Sequence, residues 1–401
     1  MIFSSSKDKQ NTNYFLSQPH QPFFVLGVIN AIVMMLIFAL NYKGVLSLNV
    51  PTLFFHTYSL IYIVFINLFS GFLFTTFPRF TGMQPIDLAY YKNIFYLNTV
   101  GSVLFVLGSI FSIIVLVLST FILLYANYKI VSKLYAIYSN SQASNLEDAY
   151  WILRAFQFGL VGNFLMILSL YFPSFSQFCI VFSFFMFVIF LTFSVAQRMI
   201  PFFSHSMQPK DHRFISTVFV LFVLKTIFAT FNAYDYVKIS EIVLDLLLSI
   251  YLLVEFLKWN MLEHKPLPIL WILHLGLFWL PLAFFMDAIS LIAELYMNTS
   301  FYFLGIHLLA LGFLTTVLIG FGTRVTYGHS GQPPHAKGLV IGIFYFTQVV
   351  VLTRFLYSLN IGFSWNLNFL FDISFTMWLI LFIVWGVKFL PVLIRGKKES
   401  I

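Results

Sequence analysis

From Pro22 onward the chain alternates long apolar runs with short polar punctuation. Runs near the 20-residue length of a membrane-spanning helix fall at 22–41, 53–77, 88–107, 110–128, 151–171, 177–200, 213–233, 238–258, 267–288, 301–322, 337–357 and 367–391. A transmembrane β-barrel shows short segments of alternating polarity instead. The pattern therefore predicts an all-α polytopic membrane protein. One stretch is ambiguous: 88–128 reads either as one very long helix or as two helices meeting near Gly108 and Ser109.

Charge resolves the ambiguity. With two helices there are twelve spans, and the termini share one side with the even-numbered loops. That side holds Lys7, Lys9, Arg79, Lys92, Lys129, Lys133, Arg154, Arg198, Lys210, Arg213, Lys258, Lys265, Arg324, Lys337, Lys388, Arg395, Lys397 and Lys398, against Lys43 and Lys238 on the other. So strong a bias marks the cytoplasmic side. With a single helix at 88–128 the sides would swap midway and the bias would collapse. The expected organisation is a cytoplasmic tail at 1–21, one twelve-helix transmembrane domain at 22–391 and a basic cytoplasmic tail at 392–401. The longest connections, 129–150, 201–212 and 323–336, all fall on the cytoplasmic side. No cleavable signal is expected, because residues 1–21 are polar and the first apolar run is too long.

Composition agrees. Of 401 residues, 60% are hydrophobic and 9% charged, with 53 Phe, where soluble proteins carry about a quarter charged residues. This excludes a soluble enzyme, a nucleic-acid-binding domain and a disordered chain. The net charge of +8 is spent on topology and implies no nucleic-acid partner; the lipid bilayer is the expected surrounding. The single cysteine, Cys179, excludes a disulfide framework and a cysteine-ligated cluster, and reads as a small apolar filler. Nucleotide-binding, zinc-protease and nucleophile-elbow motifs are absent.

Polar chemistry inside the spans is sparse. Of nine histidines, only His56, His274 and His307 lie in or at the edge of an apolar run. His56 opens the second span and His307 lies early in the tenth, both within about 10 Å of the outer surface at 1.5 Å per residue. His274 belongs to the inner half. Either His56 and His307 face one another and ligate a metal centre, or each hydrogen-bonds to a backbone carbonyl or hydroxyl between helices.

Three inner-face segments put an arginine beside a helix-breaking residue: Gly71 to Gly82 with Arg79, Gln197 to His205 with Arg198, and Gly322 to Gly331 with Arg324 and His329. Each arginine either marks a positive-inside boundary or reaches an acidic group such as a haem propionate. These segments end spans two, six and ten. Segments 71–76 and 312–316 both read Gly-Phe-Leu followed by a Thr pair, a hint of three related four-helix units. In spans seven and eight, Lys225 and Asp245 lie about eleven and nine residues from a shared turn. They therefore sit at nearly equal depth and are expected to form a structural ion pair, with a proton-relay role as the alternative.

Gln18 to Phe24, His56, Gly71 to Gly82, Arg198 to Phe203, Ile269 to Gly276, His307, Thr323-Arg324 and Gly328 to Gly331 together resemble the NnrS family of bacterial membrane proteins. The resemblance implies a twelve-helix protein of the bacterial cytoplasmic membrane that contains haem, expected to be b-type, and copper, and that eases nitric-oxide stress. The implied partners are nitric oxide or a related small molecule and a component of the respiratory chain. His56 and His307 are then metal ligands, and His274, His329, Arg198 and Arg324 further cofactor-binding candidates. One departure matters. The family pattern at the second span resembles Trp-His-x-His-Glu, whereas this chain reads Phe55-His56-Thr57-Tyr58-Ser59; copper depending on that second histidine would lack its donor. A haem–copper oxidase is a more distant comparison, and this chain lacks its paired histidines. Two other classes stay open: a secondary transporter, for which Lys225, Asp245, Glu255, Asp287 and Asp372 speak, and an assembly factor for respiratory enzymes. Whether the chain is an enzyme is left open.

Overall fold

A computed structural model describes residues 13–206, 211–259, 267–333 and 335–396. Of the charges that assign the sides, Lys7, Lys9, Lys210, Lys265, Lys397 and Lys398 lie outside them, as do most of the two expected tails.

The described residues are helical, without strands. There are twelve long helices: α1 (His20–Tyr42), α2 (Thr52–Phe80), α3 (Leu88–Phe111), α4 (Ile113–Ser139), α5 (Glu147–Ser169), α6 (Pro173–Phe203), α7 (Phe214–Phe231), α8 (Asp235–Lys258), α9 (Pro268–Met297), α10 (Leu304–His329), α11 (Leu339–Gly362) and α12 (Phe369–Arg395). All but α8 are long and apolar enough to cross a membrane. The apolar runs alone predict twelve spans; α8 differs because it carries Asp235, Lys238, Glu241, Asp245, Glu255 and Lys258. Exposed Val100, Val103, Leu107, Ile114, Leu118 and Phe121 give the outer faces of α3 and α4 an apolar surface. Such a surface is stable against lipid and a liability in water. The chain is a multi-pass membrane protein.

Residues 88–128 form two helices, and the break lies at Ser112, in extended conformation (φ −159°, ψ 117°), rather than at Gly108–Ser109. Gly108 acts differently, through close approach. A Cβ there would run into the backbone nitrogen of Leu116, so only glycine lets α3 and α4 close into a tight hairpin. The 129–150 connection also shrinks. α4 runs on to Ser139, and its Lys129 and Lys133 ammonium groups lie over the Tyr90 ring of α3 at 5.0 and 4.9 Å, a contact that holds polar residues in helix past the apolar run. α10 likewise continues to His329, and α12 to Arg395.

α2, α6 and α10 are the innermost helices, buried over 94%, 83% and 72% of their most apolar stretch, and each touches the other two. They are the second helices of three consecutive four-helix units, α1–α4, α5–α8 and α9–α12. α12 packs on α1, so the last unit meets the first. Each inner helix contains a π-helical segment: Leu60–Phe65, Ser183–Ile189 and Leu308–Thr315. In α10, Thr315 and Thr316 hydroxyls donate to carbonyls five residues back, Ala310 and Leu311, at 2.7 and 3.2 Å. π-Helix is rare and tends to occur at functional sites. Here it recurs once per unit, at the centre of the molecule.

Candidate functional site: a histidine-lined cavity

A cavity of about 950 Å³ opens between the units; His56, His307, Arg354, Lys225, Glu241 and Asp287 are among its lining residues. His56 stands one turn before the π segment of α2, and His307 immediately before that of α10. Their rings lie 6.4 Å apart, centre to centre, with 24° between the planes. Phe38 of α1 packs on His56 at 4.1 Å between ring centres.

His307 is held by its own helix start. Its Nδ1 lies 2.9 Å from the Phe303 carbonyl oxygen and 3.0 Å from Arg354 Nη2. A carbonyl only accepts and a guanidinium only donates, so Nδ1 satisfies one of them. Arg354 donates elsewhere, to Ser358 Oγ at 2.5 Å and the Tyr302 carbonyl at 3.2 Å, whereas Phe303 offers Nδ1 an acceptor one turn back. We assign the proton to Nδ1, which leaves Nε2 as the free ring acceptor. Tyr302 and Phe303 both adopt left-handed backbone (φ 45° and 56°), a conformation costing non-glycine residues about 1–3 kcal/mol each and found preferentially at functional sites.

Arg354 is buried (8% exposed). Its guanidinium lies 5.1 Å from the Tyr357 ring centre, and no carboxylate pairs with it among the described residues. On another wall, Lys225 Nζ donates to Asp245 Oδ2 at 2.6 Å, Glu241 Oε1 at 2.7 Å and Asp287 Oδ2 at 2.8 Å. Lys238 bonds Glu294 at 2.7 Å nearby. The Lys225–Asp245 contact is therefore one part of a four-residue cluster.

The other sequence candidates lie at the far end of the bundle. Arg79 stands 23 residues along α2 from His56, and His329 stands 22 along α10 from His307, about 35 Å at 1.5 Å per residue. There Arg198 donates to Asp148 Oδ2 at 2.6 Å and stacks on Phe80. Arg324 lies 3.8 Å from the Phe203 ring centre. Each of these arginines thus rests on the aromatic end of the preceding unit's inner helix. His274 Nε2 meets Ser204 Oγ at 2.6 Å. His329 packs on His20, ring centres 4.7 Å apart, and the buried Nδ1 of His20 has no hydrogen-bond partner among the described residues. One cofactor cannot touch all six candidates: His56 and His307 form one group, and His274, His329, Arg198 and Arg324 belong to the opposite end.

Arg354, Glu241 and His20 are additions. An arginine within the 337–357 run and a glutamate within 238–258 are as visible in the sequence as Lys225, and the same rule about intramembrane charge identifies them. His20 stands just ahead of the first apolar run and so escapes that rule. Tyr58, where the family pattern has its second histidine, is buried and donates to Asn163 Oδ1 at 3.0 Å. It does not line the cavity.

Fold and cavity define a class: an all-helical membrane protein built of three four-helix units around a buried, histidine-bearing chamber. Comparison with protein families then gives the finer identity. The family model described as NnrS protein matches residues 14–397, nearly the whole chain, so the chain belongs to the NnrS family. A search of curated proteins finds no match.

Proposed function

We propose that the chain is a haem-binding protein of the bacterial cytoplasmic membrane, acting in the response to nitric oxide by binding or processing it, or by shielding metal centres from it. The observation that carries this reading is the spacing of His56 and His307. With ring centres 6.4 Å apart, these two imidazoles could both hold one metal, since a metal–nitrogen bond is about 2 Å. The cavity volume falls in the usual range for cofactor and ligand sites.

Haem iron held by both imidazoles would supply electron transfer, and held by one of them it would keep a position free for a small diatomic ligand. The protein's own residues do the positioning. The Phe303 carbonyl, by accepting from Nδ1, turns the His307 Nε2 lone pair outward and fixes the ring, as an outer partner does for metal-ligating histidines. Phe38 restrains His56 from the side. Arg354, buried and without a carboxylate, offers paired N–H donors to a propionate; it takes the role that the sequence suggests for Arg198 and Arg324, whose side chains are engaged at the other end. With one cysteine and no covalent-attachment motif, the haem is held non-covalently, as a b-type haem is.

The topology we propose has twelve spans with both termini in the cytoplasm. α8 joins the spans because Lys238, Glu241 and Asp245 are buried and paired within the protein, and the charge asymmetry between loops sets the orientation. The optical spectrum of the purified protein tests the cofactor. A Soret band with stoichiometric haem, lost in His56→Ala and in His307→Ala, is expected. Unchanged haem content in both variants would sink the assignment. A secondary transporter is the second reading, favoured by the charged cluster on the cavity wall; a colourless, fully folded preparation supports it.

A further inference from the structure

The Lys225 cluster has an unbalanced charge count. An ammonium has three N–H donors, and Lys225 spends one on each of Glu241, Asp245 and Asp287. The three carboxylates bring three negative charges against one positive. The remaining oxygens of Glu241 and Asp245, Oε2 and Oδ1, are buried with no hydrogen-bond partner among the described residues. Among the described residues no second cation bonds these carboxylates. Lys238 is occupied by Glu294, and α6 presents the Phe185 ring, 5.7 Å from Lys225 Nζ. From α10 comes Gly305, whose missing side chain is the space that Asp287 fills. Arg354 lines the same cavity and keeps its charge, since its partners Ser358 Oγ and the Tyr302 carbonyl are neutral, but it bonds none of the three carboxylates.

Two uncompensated negative charges on side chains this buried cost several kcal/mol each. A metal cation could satisfy them, since one oxygen from each carboxylate lies within 4.8 Å of the others. It would have to displace the ammonium already bonded to all three. A proton needs no such space. Access is also unequal: the side chains of Lys225, Glu241 and Asp245 are 1%, 3% and 0% exposed, and that of Asp287 is 18%. Lys225, Glu241 and Asp287 all line the cavity that His56 and His307 share, and Asp287 is the most exposed of them.

We propose that the Lys225–Glu241–Asp245–Asp287 cluster is a proton-binding site that exchanges with the cavity through Asp287. In the exchange the O–H bond of one carboxylic acid breaks and the proton passes to a water molecule entering the cavity, which becomes hydronium; the reverse step returns a proton or deuteron to the carboxylate. The carboxylate left behind keeps its bond to Lys225. The site stands whatever occupies the cavity.

Infrared spectroscopy of the full-length purified protein at neutral pH tests it. The expected signature is a carboxylic-acid C=O band that shifts in D2O and again when Asp or Glu is labelled with carboxyl-13C. Asp245→Asn or Glu241→Gln removes or moves that band, and Asp287→Asn slows its deuterium exchange several-fold. The labelling arm needs no substitution, so it decides even if a variant fails to fold. Absence of any such band in the wild type overturns the proposal. So does sodium-dependent stability without a band, which would identify a metal cation instead. Unchanged exchange in Asp287→Asn overturns the route.

Discussion

Replacing Lys225 by Met removes the cation from the centre of three carboxylates while keeping a long side chain. Three charge-assisted bonds of 2.6–2.8 Å are lost together. Removing one partner of a buried ion pair costs about 3–5 kcal/mol. We therefore expect Lys225→Met to lose about 4 kcal/mol at pH 7, read as a shift in the unfolding curve of detergent-purified protein followed by tryptophan fluorescence. Lys225→Met with Asp245→Leu rescues only part, because Glu241 and Asp287 stay without a partner; adding Glu241→Gln and Asp287→Asn restores most of the loss. Full rescue by the double variant alone would refute this account and reduce the cluster to a simple pair.

Gly305→Ala puts a methyl group into Asp287 and is expected to cost about 1–3 kcal/mol, with loss of the Asp287–Lys225 bond; wild-type melting would show that α10 yields instead. Arg354→Lys keeps the charge but not the paired donors, so haem content after purification falls well below wild type, while a variant with full haem content would leave the propionate without this anchor. Arg198→Lys keeps haem content, since its bond to Asp148 is partly exposed on both sides (31% and 25%), and costs at most about 1 kcal/mol; loss of haem there would return Arg198 to the cofactor. Gly108→Ala should lower stability by about 1–3 kcal/mol by forcing α3 from α4, checked by the same unfolding assay.

Apolar runs carry the number of long helices but not their ends. α4 and α10 overrun their apolar segments because Lys129, Lys133 and Arg324 lie over aromatic rings, and such support comes from residues distant in sequence. The π segments leave no trace in composition, because one additional residue in a turn alters the phase of a pattern and not its content. Counting residues from a hairpin turn gives the relative depth of two adjacent helices, α7 and α8, and says nothing about α9, which brings Asp287. The same limit applies to His56 and His307: their depths can be counted, but the distance between them depends on how the first and third units meet.

A π turn has a mechanical meaning. It holds one residue more than the helix on either side, and each residue of an α-helix advances the spiral by roughly 100°. Everything downstream of Leu60–Phe65, including Pro78 and Arg79, is therefore rotated relative to His56 by about a quarter turn from where an unbroken helix would aim it. The same holds in α10 for His307 and Arg324. The two ends of each central helix are thus aimed independently, one at the chamber and the other at the opposite surface. Deleting one residue from Leu60–Phe65 would leave composition, length and hydrophobicity almost untouched, yet it would swing His56 away from His307.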